Sequence, residues 1–164
     1  RVGQVVLPLA ISLTLRHSLK NIGFNSSKIF KNAILGLGVG TIAGIILAYP
    51  IVTLTSPLMA KNLNSLSEIT YILLLLISNI APIEYFYRGF LQPRLEIFTG
   101  PLSGAIFVAI LSGFDFWEYH VFNIPLLIGI GIIFSLLYLK TRSLAATILA
   151  HLSFFLVIMV ATVI

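Results

Sequence analysis

The most informative segment of the sequence is Ala81-Pro82-Ile83-Glu84-Tyr85-Phe86-Tyr87-Arg88-Gly89-Phe90-Leu91-Gln92. It puts Glu84 and Arg88 at the end of a long apolar segment. An ionisable side chain at bilayer depth costs roughly 2.5–3.5 kcal/mol on insertion scales unless it is paired or hydrated. The four-residue spacing puts both side chains on one helix face, where they can pair. Pro82 leaves a backbone carbonyl without its donor, so the stretch predicts a membrane helix that opens beside a cavity.

The rest of the chain is too poor in charge for a protein with a water-facing surface. Of its 164 residues, 59% are hydrophobic and 9% are charged, whereas soluble domains carry about 25% charged residues. The mean hydropathy is +1.08. This composition excludes a soluble enzyme and a disordered tail. A membrane β-barrel is excluded because the apolar stretches are continuous rather than alternating. The net charge of +5 comes without a basic stripe interleaved with aromatic residues, so nucleic-acid binding is not indicated.

We predict an all-α, polytopic membrane bundle of about six transmembrane helices, forming a single domain over residues 1–164. A spanning helix needs about 20 apolar residues. The predicted spans, of which the first lacks its start, are Val2–Leu15, Ala33–Thr55, Ile69–Leu91, Pro101–Trp117, Leu126–Leu139 and Ser143–Ile164. The segment Gln92–Gly100, which contains Pro93, is predicted to be a loop, and Lys140–Arg142 a tight basic turn.

The distribution of lysine and arginine predicts the orientation of these spans. The connections after the first, third and fifth spans hold seven basic residues, whereas the opposite side holds Arg1 and Lys61. Basic loops tend to remain in the cytoplasm. We therefore predict that Arg16–Lys31, Gln92–Gly100 and Lys140–Arg142 are cytoplasmic.

The second span carries three glycines on one face. Gly36, Gly40 and Gly44 recur every four residues, and small residues at this spacing let another membrane helix approach closely. The alternative is that glycine is simply common in membrane helices.

The remaining ionisable groups cluster in the second half of the chain. With Glu84 and Arg88, the candidate catalytic residues are His120 and His151. Each has a structural alternative: an intrahelical ion pair for Glu84 with Arg88, a helix–helix hydrogen bond for His151, and an interfacial side chain for His120. Asp115 and Glu118 share a helix face. They are either a second carboxylate pair or the polar rim of the fourth span, and we do not count them among the candidate catalytic residues.

The stretch around Glu84 resembles the first motif of the CPBP family, the type II CAAX prenyl endopeptidases and bacteriocin-processing proteins. That motif reads Glu-Glu-x-x-x-Arg, usually preceded by Ala-Pro and followed by Gly-(Phe/Leu)-Leu-Gln. The basic turn within Leu137–Leu144, followed by His151, resembles the family's third region with its His-x-x-x-Asn. The resemblance covers about Ile69–Phe155, the protease-like core. It implies peptide hydrolysis inside the membrane, with a carboxylate and a histidine activating water and Asn and His donors holding the oxyanion.

The sequence departs from this family pattern at the residues that carry the chemistry. The first Glu, which the resemblance makes the base, falls on Ile83, and the Asn falls on Phe155. The second motif, Phe-x-x-x-His, places Trp117 where the histidine is expected, although Phe116 and His120 give a literal match three residues later. Loss of one oxyanion donor alone typically costs about 10²–10³ in rate. We therefore expect weak or absent hydrolysis.

Two functions follow from these residues. The first is an intramembrane endopeptidase of the CAAX-processing type that uses Glu84, Arg88, His120 and His151. The second is a non-catalytic accessory subunit of a membrane complex that keeps Glu84 and Arg88 as a structural pair. A transporter or channel subunit with a proton relay is a third reading.

The expected partners are the lipid bilayer and either other membrane subunits or a membrane-embedded peptide. Glutamate and histidine are acceptable zinc ligands, but no His-Glu-x-x-His spacing occurs, so we expect no metal or other cofactor. Convergence of Glu84 and the imidazoles on a water-sized cavity would favour hydrolysis or a proton relay. Dry surroundings filled by Ile83 and Phe155 would favour the accessory role.

Overall fold

The computed structural model describes Val6, residues 28–59, Leu74, residues 78–115 and residues 124–163, and its regular elements there are all helical. The elements are α1 (Ile29–Met59), α2 (78–84), a π-helical segment (Tyr85–Leu91), α3 (Gln92–Thr99), α4 (Pro101–Phe114), α5 (Ile124–Thr141) and α6 (Leu144–Val163). The predicted all-α fold is confirmed.

Three of these helices contain stretches long and apolar enough to cross a membrane: Ile29–Thr53, Ile124–Thr141 and Leu144–Ala161. Helix α4 is apolar but shorter, at 14 residues. The main core lies between α1, α5 and α6 and includes Ala43, Phe134 and Phe154. The structure is therefore a polytopic membrane bundle. The predicted span Val2–Leu15, apart from Val6, lies outside the described residues.

The prediction of a loop over Gln92–Gly100 is wrong, because α3 occupies nearly all of it. Pro93 stands in the first turn of this helix, where a missing N–H costs nothing and a fixed φ is already helical. The helix ends at Gly100, whose φ of 86° is a conformation that glycine adopts without strain. A proline among polar residues therefore marked a helix start rather than a loop.

The predicted basic turn is shorter than expected. Helix α5 runs through Thr141, and the chain reverses at Arg142, whose φ is 50°. The N–H of Arg142 donates to the carbonyl of Tyr138 at 2.7 Å, as in a left-handed C-cap. This tight reversal lays α6 directly beside α5.

The glycine face of α1 packs along α6, which confirms the predicted close approach. A Cβ on Gly40 would overlap the carbonyl oxygen of Ala150 and the hydroxyl of Ser153. The other two contacts are Gly36 against the backbone of Ala146 and Gly44 against the side chain of Val157. Only glycine lets α1 lie this close to the helix that carries His151.

Gly40→Ala is expected to lower the free energy of unfolding by about 1–3 kcal/mol, the usual cost of overpacking a tight site. The matched control is Gly38→Ala on the same helix, since Gly38 is exposed and a Cβ there meets nothing within 4 Å. Thermal unfolding of both variants in detergent measures the difference. Equal destabilisation by the two changes would contradict the close packing.

Candidate functional site

The helix that enters the site widens into a π-helix over Tyr85–Leu91. A π-turn closes on the fifth preceding residue rather than the fourth, and the N–H of Gln92 accordingly donates to the carbonyl of Tyr87. The widening begins three residues after Pro82, where the sequence predicts an opening. Four residues of an α-helix overshoot a full turn by about 40°, whereas the wider turn reduces this drift. Glu84, Arg88 and Gln92 therefore all face inward and are at most 2% exposed.

Glu84 is the centre of a buried charged cluster. Its Oε1 lies 2.7 Å from Nδ1 of His151 on α6 and 3.5 Å from Nη1 of Arg88. The Glu84 side chain is fully buried. A carboxylate is tolerated at such a position only when cationic or hydrogen-bonding groups surround it, and here one comes from its own helix and one from α6.

Arg88 ties the π-helical segment to two further helices. Its Nη2 donates to the carbonyl oxygen of Gly131 on α5 at 3.1 Å and to Oγ of Ser112 on α4 at 3.3 Å. The planar guanidinium presents its donors in a fixed fork, so these contacts also fix the end that faces Glu84. The arginine therefore holds the carboxylate in place and joins three helices.

Two aromatic rings contact the imidazole of His151. The ring of Phe155 stacks on it with centroids 5.2 Å apart and an angle of 16° between the planes. The ring of Phe134 lies 4.9 Å away on α5. Together with the contact to Glu84, these rings leave the imidazole little freedom to rotate.

A cavity lies against this cluster, with about 50 Å³ available to the centres of water molecules. One water needs roughly 10–15 Å³ by this measure, so the cavity can hold a few. The residues that line it are Ile83, Arg88, Ser112, Leu127, Ile130, Gly131, Phe134, His151, Phe154 and Phe155. The wall is mostly hydrocarbon, with the arginine, the serine and the histidine as its polar side chains.

Three of the four predicted catalytic residues, Glu84, Arg88 and His151, come together, and Arg88 and His151 also line the cavity. The fourth, His120, lies outside the described residues, as does Glu118. Asp115 ends α4, where its N–H donates to the carbonyl of Leu111 at 3.2 Å. Within the described part of the chain, no group of three or more His, Asp or Glu side chains is placed to hold a metal ion.

The sequence did not indicate the two groups that accept hydrogen bonds from Arg88. Ser112 is a buried serine in an apolar helix, and its hydroxyl also donates to the carbonyl of Ala109 at 3.0 Å. Gly131 lets α5 lie close to α4, because a Cβ at this position would be only 2.9 Å from the carbonyl oxygen of Ala109. A serine in the middle of an apolar span was the available signal, but nothing local links it to an arginine 24 residues earlier.

A second polar cluster beside the site was also missed. Nη1 of Arg142, just after α5, lies 2.6 Å from Oε2 of Glu96 on α3. Gln92 donates to Oε1 of Glu96 at 2.9 Å and to the carbonyl of Ser135 at 3.0 Å. The contacts with Ser135 and Arg142 fasten α3 to α5 and to the turn after it, and they connect residues 43 and 46 positions apart.

The protein is a membrane helix bundle that holds a buried carboxylate, guanidinium and imidazole against a cavity large enough for a few waters. The family model described as Type II CAAX prenyl endopeptidase Rce1-like matches residues 65–157, more than half of the chain. The chain belongs to this family. Comparisons with curated proteins and with solved structures give no match.

Proposed function

We propose that the protein is an intramembrane endopeptidase of the CAAX-processing type whose peptidase activity is weak or lost. One observation carries this proposal: the 2.7 Å contact between Glu84 and His151 beside a cavity that Ile83 and Phe155 line. These are the two positions where the family pattern has Glu and Asn. The catalytic cavity is kept, and two of its polar groups are replaced by hydrocarbon.

The chemistry explains why the activity is weak. Hydrolysis needs a base within about 3 Å of the attacking water, directly or through one more water, and the side chain of Ile83 accepts no proton. Phe155 donates no hydrogen bond to a developing oxyanion. Glu84, Arg88, His151 and, in our proposal, His120 are the polar residues that remain for the reaction.

The test is a cleavage assay on the purified protein with prenylated peptides and membrane-embedded peptides. The wild type is expected to cleave far below the 1–10³ s⁻¹ typical of enzymes. Turnover within that range would contradict the proposal of an impaired enzyme.

A non-catalytic accessory subunit is the second candidate, and the hydrocarbon on the cavity wall favours it. In that role the Glu84–Arg88–His151 cluster joins helices, and the partners are other membrane subunits in the same bilayer. Purification in mild detergent distinguishes the two functions, because an accessory subunit brings a stoichiometric set of partners with it. A protein that purifies alone and cleaves peptides would exclude the accessory role.

We further propose that the basic connections face the cytoplasm, as their lysines and arginines indicate. Lys61→Cys and Arg142→Cys are then expected to react with an impermeant thiol reagent from opposite sides of the membrane. The chain has no cysteine of its own, so the wild type serves as the unlabelled control. Labelling of both positions from one side would contradict this orientation.

A further inference from the structure

Glu84 is badly placed to act on water itself. It is fully buried, and it is not among the residues that line the cavity. The structure instead turns its carboxylate toward Nδ1 of His151, and His151 does line the cavity. The group that meets the water is therefore the imidazole.

The contact with Glu84 also determines which ring nitrogen can act. Nδ1 faces Oε1 of Glu84 at 2.7 Å. An ionised carboxylate only accepts hydrogen bonds, so a neutral imidazole in this position carries its proton on Nδ1. The lone pair then lies on Nε2, the ring nitrogen that does not contact Glu84. A carboxylate that fixes the tautomer and orientation of a histidine base is the arrangement of hydrolytic triads.

We propose that His151 is the general base of this chain and that Glu84 is the positioning residue that holds it. This inference rests on the proposed peptidase function and names its base in place of the missing Glu at position 83. Two contacts hold the pair in place: the ring of Phe155 stacks on His151, and Arg88 pairs with Glu84.

The reaction is a balanced hydrolysis. A water in the cavity attacks the carbonyl carbon of the scissile peptide and gives one proton to Nε2 of His151. The tetrahedral intermediate then collapses, the C–N bond breaks, and the leaving nitrogen takes the proton back from Nε2. The products are a carboxylic acid and an amine, and the imidazole returns to its starting tautomer.

Nitrogen-15 NMR of histidine-labelled protein in detergent tests the pair without relying on activity. The chain has three histidines, and His151→Gln assigns the signal. We expect the Nδ1–H tautomer for His151 in the wild type. In Glu84→Met, which keeps the side-chain length but has no acceptor oxygen, the ring is expected to change to the Nε2–H tautomer. Glu96→Met is the matched control, since it removes a carboxylate that contacts Arg142 instead, and the tautomer should stay as in the wild type.

Cleavage by the same variants completes the test. Glu84→Met is expected to lose about 10²–10⁴-fold of the wild-type rate, the usual worth of a positioned base, while Glu96→Met keeps that rate. A wild type that cleaves while His151 is in the Nε2–H tautomer leaves the proposed function standing and overturns the Glu84–His151 pair. A wild type with the Nδ1–H tautomer that cleaves nothing agrees with the lost activity of the proposed function and overturns the role of His151 as a base, whereas turnover of about 1–10³ s⁻¹ overturns the proposed function instead.

Discussion

Ile83→Glu combined with Phe155→Asn is expected to raise the rate of peptide cleavage at least about 10²-fold above the wild type. The first change returns a proton acceptor to the cavity wall, and a positioned base contributes about 10²–10⁴-fold. The second returns an oxyanion donor, worth about 10²–10³-fold. Both side chains already line the cavity, so the new polar groups would meet the same waters as His151. The measurement is initial rates on prenylated and membrane-embedded peptides.

The control for this gain is Ile83→Leu, which changes the cavity wall without adding a polar group and keeps the Phe155 ring stacked on His151. It should leave the rate at the wild-type level. Thermal unfolding of all variants shows that each is folded when it is assayed. If the restored variant is folded and cleaves no faster than the wild type, then Ile83 and Phe155 are not what limits the activity.

Arg88→Met is expected to lower the free energy of unfolding by about 3–5 kcal/mol, because it leaves the buried carboxylate of Glu84 without its cationic partner. The same change also removes the donors to Gly131 and Ser112. Replacing both charged residues, Glu84→Met with Arg88→Met, should cost less than the single change, since no buried charge is then left alone. Equilibrium unfolding in detergent measures both.

Arg142→Met is the matched control for this prediction. Arg142 also pairs with a carboxylate, at 2.6 Å from Glu96, but its side chain is 48% exposed. Glu96 itself is only 8% exposed, but it lies beside the half-exposed Arg142 and keeps the hydrogen bond from Gln92, so the loss should be smaller than for Arg88. A single change at Arg88 that costs no more than the double change would show that the pair with Glu84 is not a buried charge pair.

The sequence predicts the parts of this structure that depend on neighbours along the chain. Continuous apolar stretches indicated the spanning helices, and four-residue spacings indicated both the Glu84–Arg88 pair and the glycine face of α1. Pro82 indicated an opened helix, and the helix widens into a π-helix three residues later. Each of these signals lies within a few helical turns, where helix geometry fixes which side chains are adjacent.

The sequence alone does not determine which distant residues meet. Glu84 and His151 are 67 positions apart, and their contact depends on how α6 is rotated against α2. Their convergence could be suspected only because both are costly in a bilayer. Nothing in the sequence indicated the salt bridge between Glu96 and Arg142, because charged residues at helix ends usually remain in water. Pro93 misled for a local reason, since the first turn of a helix and a loop both accept proline.

Helix α1 shows that the two sides of a membrane helix can be distinguished by volume instead of polarity. Its glycines face α6, and bulky side chains such as Ile45, Ile46 and Tyr49 point away and are more than 60% exposed. Both sides are apolar, so either could face lipid or protein at a similar free energy of transfer. The fit of the side chains against α6 therefore determines which side packs inward. A hydrophobicity scale therefore ranks the damage done by substitutions on this helix wrongly. On such a scale, replacing glycine by alanine is a mild change. On the inner face of α1, however, it blocks the approach of α6, the helix that carries His151. Replacing one large outward side chain by another leaves that approach unchanged.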